Sequence, residues 1–365
     1  MRRRILFSAL LCMAVSCVYP YDVPELQHNE TRLLVDGNII VGDSASLALY
    51  TVILGNTSGT VPRSNTFRVH PDTWWVEDDK NVKYGFNDEG ILDLSDAPSD
   101  RMYRIVFKYK GKTYSSSFEK HLDPPEIREI SFDADDFTVY CRVSFDEGSG
   151  GSGFTAVRSD EIWNYHTDFE KSVIVNPATW EYVDVKIDSL YYCWYHYRNE
   201  DESIVDLRQM GGKAEKYVVK SFSRFGSQNH REYNIRVYVR SITEAEYRFK
   251  KNIGMPQGGY NLFTPNPGDV SGNVRCESEN GLATLGYVTS SSYATIDGKL
   301  DTRFRKTQPI NYDNYIKLES SDDIQLYYEV YHMVPIFRTW GAVYWGGEEC
   351  LDCRLRGGTL EKPSF

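Results

Sequence analysis

The sequence predicts a mainly β protein: an N-terminal immunoglobulin-like β-sandwich followed by a larger, sandwich-like β-rich domain with one short helix. Three observations predict it. Apolar and polar residues alternate in short runs; over 102–110, Tyr103, Ile105, Phe107 and Tyr109 alternate with Arg104 and Lys108. Turn residues such as Gly111-Lys112 punctuate these runs, which repeat at roughly ten-residue spacing as in a sandwich. Aromatic residues are abundant, with 27 Tyr, 17 Phe and 7 Trp among 365 residues, and strands favour them for cross-strand contacts.

The chain opens on Arg2, Arg3 and Arg4, then an apolar run over 5–15. That run is too short to cross a hydrocarbon core of ~30 Å as a helix, so residues 1–16 read as a secretory signal. Ala14-Val15-Ser16-Cys17 resembles a bacterial lipobox, with Ala14 where Leu is usual. It predicts acylation of Cys17, and two or more acyl chains, at about 0.8 kcal/mol per buried CH₂, hold stably to a bilayer. Residues 17–33 read as a tether. Lys and Arg number 41 against 52 Asp and Glu, a net charge of −11, and losing the signal removes three more arginines. Such an acidic body lacks the basic surface that phosphate backbones require, which argues against nucleic acid as a partner.

Residues 34–122 form the first sandwich, with strands over 33–41, 46–54, 102–110 and 113–118. Leu122-Asp-Pro124-Pro125 cannot continue a central strand and marks a boundary, leaving 123–365 as the second domain. Strand-like runs follow over 127–132, 137–145, 180–187, 191–197, 217–222, 233–240, 283–289, 315–318, 324–331 and 334–345. The glycine-rich stretch 147–154 reads as a loop; it lacks the Gly-Lys-Ser/Thr that a phosphate-cradling loop needs. Thr243 followed by Glu246 is a capping box, predicting a helix that Gly254 stops.

After Cys12 and Cys17, five cysteines remain, enough for two bridges. Cys193, Cys276, Cys350 and Cys353 are the disulfide candidates, with the pairing left open. Cys350-Leu-Asp-Cys353 has no helix pattern after it, no second pair for zinc, and Arg354 where haem attachment needs His. It reads as a staple for the last loop. Trp74 and Trp75 are the candidate ligand contacts: neighbours on a strand point to opposite faces, which favours one of them being exposed. The acidic groups Glu77-Asp78-Asp79, Asp133-Ala-Asp135-Asp136 and Asp322-Asp323 lack a calcium-loop pattern and read as turn caps. No catalytic residue, metal ligand or cofactor is expected, because the histidines are scattered and no hydrolase motif occurs.

Taken in order, these features resemble the Bacteroidota lipoproteins of domain-of-unknown-function family 4249. The residues that carry it are Cys17, Leu34-Val-Asp-Gly-Asn-Ile39, Tyr103-Arg-Ile-Val-Phe107, Gly111-Lys-Thr-Tyr114, Pro124-Pro-Glu-Ile127 and Ser241-Ile-Thr-Glu-Ala-Glu-Tyr247. Further along are Phe263-Thr-Pro-Asn-Pro267, Gly272-Asn-Val274, Leu285-Gly-Tyr287, Cys350-Leu-Asp-Cys353 and Lys362-Pro-Ser-Phe365. The resemblance implies a non-enzymatic protein held to outer-membrane lipid through Cys17. It also implies an accessory role beside a TonB-dependent transporter in nutrient or metal uptake. The alternative is a structural or adhesive surface lipoprotein with no transporter.

Overall fold

The computed structural model describes residues 30–54, 65–86, 91–148, 151–187, 190–199, 201–226, 232–254, 272–278, 281–282, 284–304, 314–318, 324–339 and 342–365. Cys17, Asp322 and Asp323 lie outside these residues. No described helix is long and apolar enough to cross a membrane.

The strands of the first part are β1 (Glu30–Ile39), β2 (Ser44–Leu54), β3 (Asn65–Val69), β4 (Thr73–Asp78), β5 (Lys83–Tyr84), β6 (Leu92–Asp93), β7 (Met102–Tyr109), β8 (Lys112–Ser116) and β9 (Glu119–Lys120). Then come β10 (Glu126–Ala134), β11 (Thr138–Asp146), β12 (Phe154–His166), β13 (Lys171–Asn176), β14 (Glu181–Ile187), β15 (Tyr192–Arg198), β16 (Ser203–Asp206), β17 (Lys213–Ser223) and β18 (Glu232–Ser241). After helix α1 (Glu244–Gly254) follow β19 (Val274–Cys276), β20 (Thr284–Ser290), β21 (Ala294–Lys299), β22 (Ile316–Leu318), β23 (Val334–Thr339) and β24 (Ala342–Gly346). The protein is mainly β, as its alternating runs predict.

Two sheets face each other in the first sandwich. One runs β20-β1-β2-β3, with β6 beside β2; the other runs β19-β8-β7-β4-β5, with β9 beside β7. Leu33, Val35 and Leu49 from the first meet Val76, Ile105, Phe107 and Tyr114 from the second in one buried cluster. β1 begins at Glu30, so residues 30–33 belong to the sheet and not to the tether. A second departure is larger: β19 and β20, from the segment assigned to the second domain, complete the first sandwich. β20 lies parallel to β1, with Val35 opposite Gly286. Alternation shows that a segment is a strand but not which sheet receives it. Gly286 has φ +105°, and a Cβ there would sit 1.8 Å from the Val35 carbonyl oxygen, so glycine is required for this approach.

The second sandwich sets β10-β11-β17 against β15-β12-β18-β21, with β16 beside β12. Val139, Cys141, Val143 and Phe145 face Val157, Trp163, Ile235 and Val237 across its core. A third layer joins the hairpin β13–β14 to the sheet β22-β24-β23. Its core gathers Val173, Val175, Ile324, Val343 and Trp345, flanked by Trp180, Tyr182, Tyr327 and Tyr328. Here 324–330 is helical where a strand over 324–331 was expected, with a π-helical turn over Leu326–Val330. Adjacent strand residues would send Tyr327 and Tyr328 to opposite faces; the helical turn lets both pack on the same core. The run 334–345 divides into the two strands β23 and β24, paired antiparallel.

α1 forms where the capping pattern placed it, and the Thr243 hydroxyl accepts from the Glu246 amide at 3.1 Å. The Glu246 carboxylate does not reach back to close the box. It turns to Arg240, a stronger, charge-assisted partner.

Candidate functional site

Period-2 alternation sends one set of side chains from the second sandwich inward and the other outward. On the sheet β15-β12-β18-β21 the outward set is polar and aromatic. Register places Trp194, His196 and Arg198 of β15 beside Asn164, Ile162 and Asp160 of β12. On the other side, Ile162, Asp160 and Arg158 oppose Asn234, Arg236 and Tyr238 of β18. Asp297 of β21 pairs with Arg236.

One end of this face is roofed by α1. Phe154, Ala156 and Ile242 are buried there with Tyr247, which stacks on Phe154 at 4.4 Å. Beside them lies a closed charge network. Arg240, 3% exposed, donates to Glu202 at 2.7 and 2.6 Å, to Glu246 at 2.6 Å and to the Ser291 hydroxyl at 3.2 Å. Lys250 meets Glu202 at 2.8 Å, and the Tyr293 hydroxyl donates to Glu202 at 2.9 Å. Burial works against the Glu202 carboxylate, but Arg240 and Lys250 overcome it and hold its pKa well below the ordinary value. Burial pushes Tyr293 up to about 12. Because Ser291 directly follows β20, this network joins the two sandwiches. The joint is reinforced by Ser241 donating to the Asp123 carbonyl at 2.7 Å, and by Thr243 and Tyr287 hydroxyls 3.2 Å apart.

Past the network the face opens. The Arg158 guanidinium lies 4.0 Å from the Tyr238 ring and 5.4 Å from the Tyr293 ring, and donates to Asp160 at 3.1 Å. Tyr238 also donates to Asp160, at 3.2 Å. Arg236 grips Asp297 with two parallel bonds of 2.7 and 2.8 Å. The side chains are therefore held in place before any ligand arrives. Flat rings and fixed guanidinium groups of this kind suit recognition of a polar chain carrying aromatic or acidic groups.

The far end is covered by residues 359–365. Thr359 and Trp194 exchange main-chain hydrogen bonds of 2.7 and 2.8 Å. Phe365 lies 4.9 Å from the Arg236 guanidinium and 6.3 Å from the His196 ring. This segment is tied upstream by the disulfide Cys193–Cys353. Of the cysteine candidates, these two pair, and Cys353 staples the last loop as expected. Cys276 and Cys350 are not bridged. Cys276 sits on β19 in the first sandwich, and Cys350 is buried with Phe169, Ile336 and Leu351. Cys141, also free, is enclosed in the second core, where burial pushes its thiol up to about 12.

Trp74 and Trp75 are both half-buried and already have partners, so neither is the exposed residue that was expected. Trp74 packs on the first core and meets Phe86 edge-on at 5.1 Å. Trp75 lies 4.6 Å below the Lys83 ammonium, and its indole donates to Glu77 at 3.3 Å. Of the acidic groups, Asp78 and Asp135 act as turn caps, while Glu77 lies in β4 and accepts from Arg104 at 3.0 Å. Asp78 accepts from the amides of Lys80 and Val82, and Asp135 from those of Phe137 and Thr138. Among the described residues no group of His, Cys, Asp or Glu is arranged to hold a metal.

With this geometry in view, one comparison decides the relationship. Residues 18–297 match the family described as Domain of unknown function (DUF4249). The chain belongs to the DUF4249 family. No curated protein matches it. The DUF4249 match takes in both sandwiches up to β21 but not β22, β23, β24, Cys350 or Cys353.

Sequence reasoning missed the outward face of the second sandwich altogether. Arg236 and Tyr238 look like ordinary positions of one alternating strand, and Arg158 falls in a segment that does not read as a strand at all. The one available signal was the clustering of Arg and Tyr on outward positions of neighbouring strands, and it needs the strand order to be seen.

Proposed function

We propose that this DUF4249 protein is a non-enzymatic, lipid-anchored outer-membrane protein that serves as the recognition partner of a TonB-dependent transporter in nutrient or metal uptake. Cys17 carries the anchor, and the face around Arg158, Arg236 and Tyr238 meets the partner or its cargo. The observation that carries this reading is one of position: the family match begins at residue 18, immediately after the lipobox cysteine. The first described strand, β1, begins at Glu30, about a dozen residues on, a spacing that suits a short tether. A rigid sandwich that fixes polar and aromatic side chains on one face is a natural recognition surface.

The test uses protein from native cells. Mass spectrometry is expected to find acyl chains on Cys17, and extraction in gentle detergent to bring down a TonB-dependent channel. A bare Cys17 thiol overturns the anchor. Extraction that never recovers such a channel overturns the partnership.

A further inference from the structure

We propose that residues 359–365 form a displaceable strap, and that the sheet face beneath them accepts an extended peptide of the same chemistry: a lysine followed three residues later by an aromatic ring. This rests on the reading of that face as the recognition surface.

The strap has a fixed base and a hinge. The Cys193–Cys353 disulfide ties the chain to β15. Gly357 then turns it at φ +84°, and Gly358 lies so close to Cys193 and Tyr165 that a Cβ would fall 2.6 and 2.7 Å from their atoms. Beyond the hinge, the main chain is held at one residue, where Thr359 pairs with Trp194. The anchors that follow are of the weak surface kind. Lys362 reaches Glu232 at 2.7 Å and sits 4.8 Å over the Trp194 ring; Phe365 rests on Arg236. Glu361, Lys362 and Ser364 are exposed.

What lies beneath the strap argues for a ligand. Ile162 is 2% exposed, and His196 Nε2 is buried without a hydrogen-bond partner. An unpaired buried polar atom opposes closure, since it has lost water and gained nothing. A peptide main chain lying along β15 supplies donors and acceptors to such an atom, while its lysine and ring fill the positions of Lys362 and Phe365. The strap is thus a weak occupant in cis, one that a better-fitting segment displaces in trans.

The experiment compares the full chain with its Lys362→Ala/Phe365→Ala variant. Two readouts are used: hydrogen exchange, and anisotropy of a labelled peptide of sequence Thr-Leu-Glu-Lys-Pro-Ser-Phe. In the variant, amides of 192–198 are expected to exchange at least tenfold faster while those of 139–145 stay unchanged. The peptide is expected to bind the variant at least tenfold tighter than the parent, and to lose binding when its Lys and Phe become Ala. Unchanged exchange at 192–198, or a folded variant that does not take the peptide, overturns the proposal. So does a variant that unfolds, because the segment is then part of the core and not a strap. Loss of the transporter partnership is read separately, by co-purification with the parent chain, so the two proposals fail independently.

Discussion

Arg240 faces two carboxylates, Glu202 and Glu246, in a space that water scarcely enters. Replacing it by alanine leaves both acids buried with only Lys250 to balance them. Arg240→Ala is therefore expected to cost about 3–5 kcal/mol in urea unfolding, the range found when one partner of a buried ion pair is removed. The same cluster sets an acid limit. Glu202 has its folded pKa below the unfolded value near 4.5, so its stabilisation is fully present above that value and is lost as pH falls through the folded one. Thermal unfolding of the parent chain should drop steeply below pH 4.5, and Glu202→Gln should flatten that drop while lowering stability at pH 7. None of this was legible from the residues alone. Glu246 reads only as the capping-box partner of Thr243, and nothing local records that Glu202, a loop residue, meets Arg240 of β18 from 38 positions away. For Trp74 and Trp75 the pattern shows that neighbours face apart but not that both faces of β4 are furnished with partners.

At the scale of elements, the staple between β15 and the last turn closes a loop of 160 residues. Cys193→Ser is expected to lower stability by about 2–4 kcal/mol, measured by urea titration against the oxidised parent. Non-reducing peptide mapping should recover Cys193 joined to Cys353, with the buried Cys141 and Cys350 alkylated only after unfolding. Most strands could be read because one face is apolar, as in β7 and β18. β12 could not, although at 13 residues it is a long strand. It is central and buried on both faces, and the sequence Arg158-Ser-Asp-Glu161 interrupts its apolar pattern. Those charges are satisfied in place: Glu161 accepts from Tyr233 at 2.8 Å and meets Lys220 at 2.6 Å. The helix α1 was legible because its cap is a local device. Its partners across the joint were not.

For the whole molecule, the anchor and the body should separate cleanly. Cys17→Ala is expected to leave the membrane fraction while keeping the parent's circular dichroism and melting temperature, since the described fold begins at β1. A variant that still sediments with membranes removes the lipid from the account. The sandwich class was legible from alternation and turn spacing, but the division at Pro124-Pro125 was not the whole of it. The chain crosses there into β10 and later returns with β19 and β20. That return carries a consequence for biogenesis. Asn38 and Thr289 bond to each other across 251 positions of chain, so β1 has no partner on its outer edge until most of the polypeptide has been delivered. Contacts so distant in sequence slow the search for the native state. A chain synthesised from its N-terminus must keep that bare edge from pairing with strangers until β20 is made. Arrival of β20, and not emergence of the first hundred residues, is the moment at which the leading sandwich can shut.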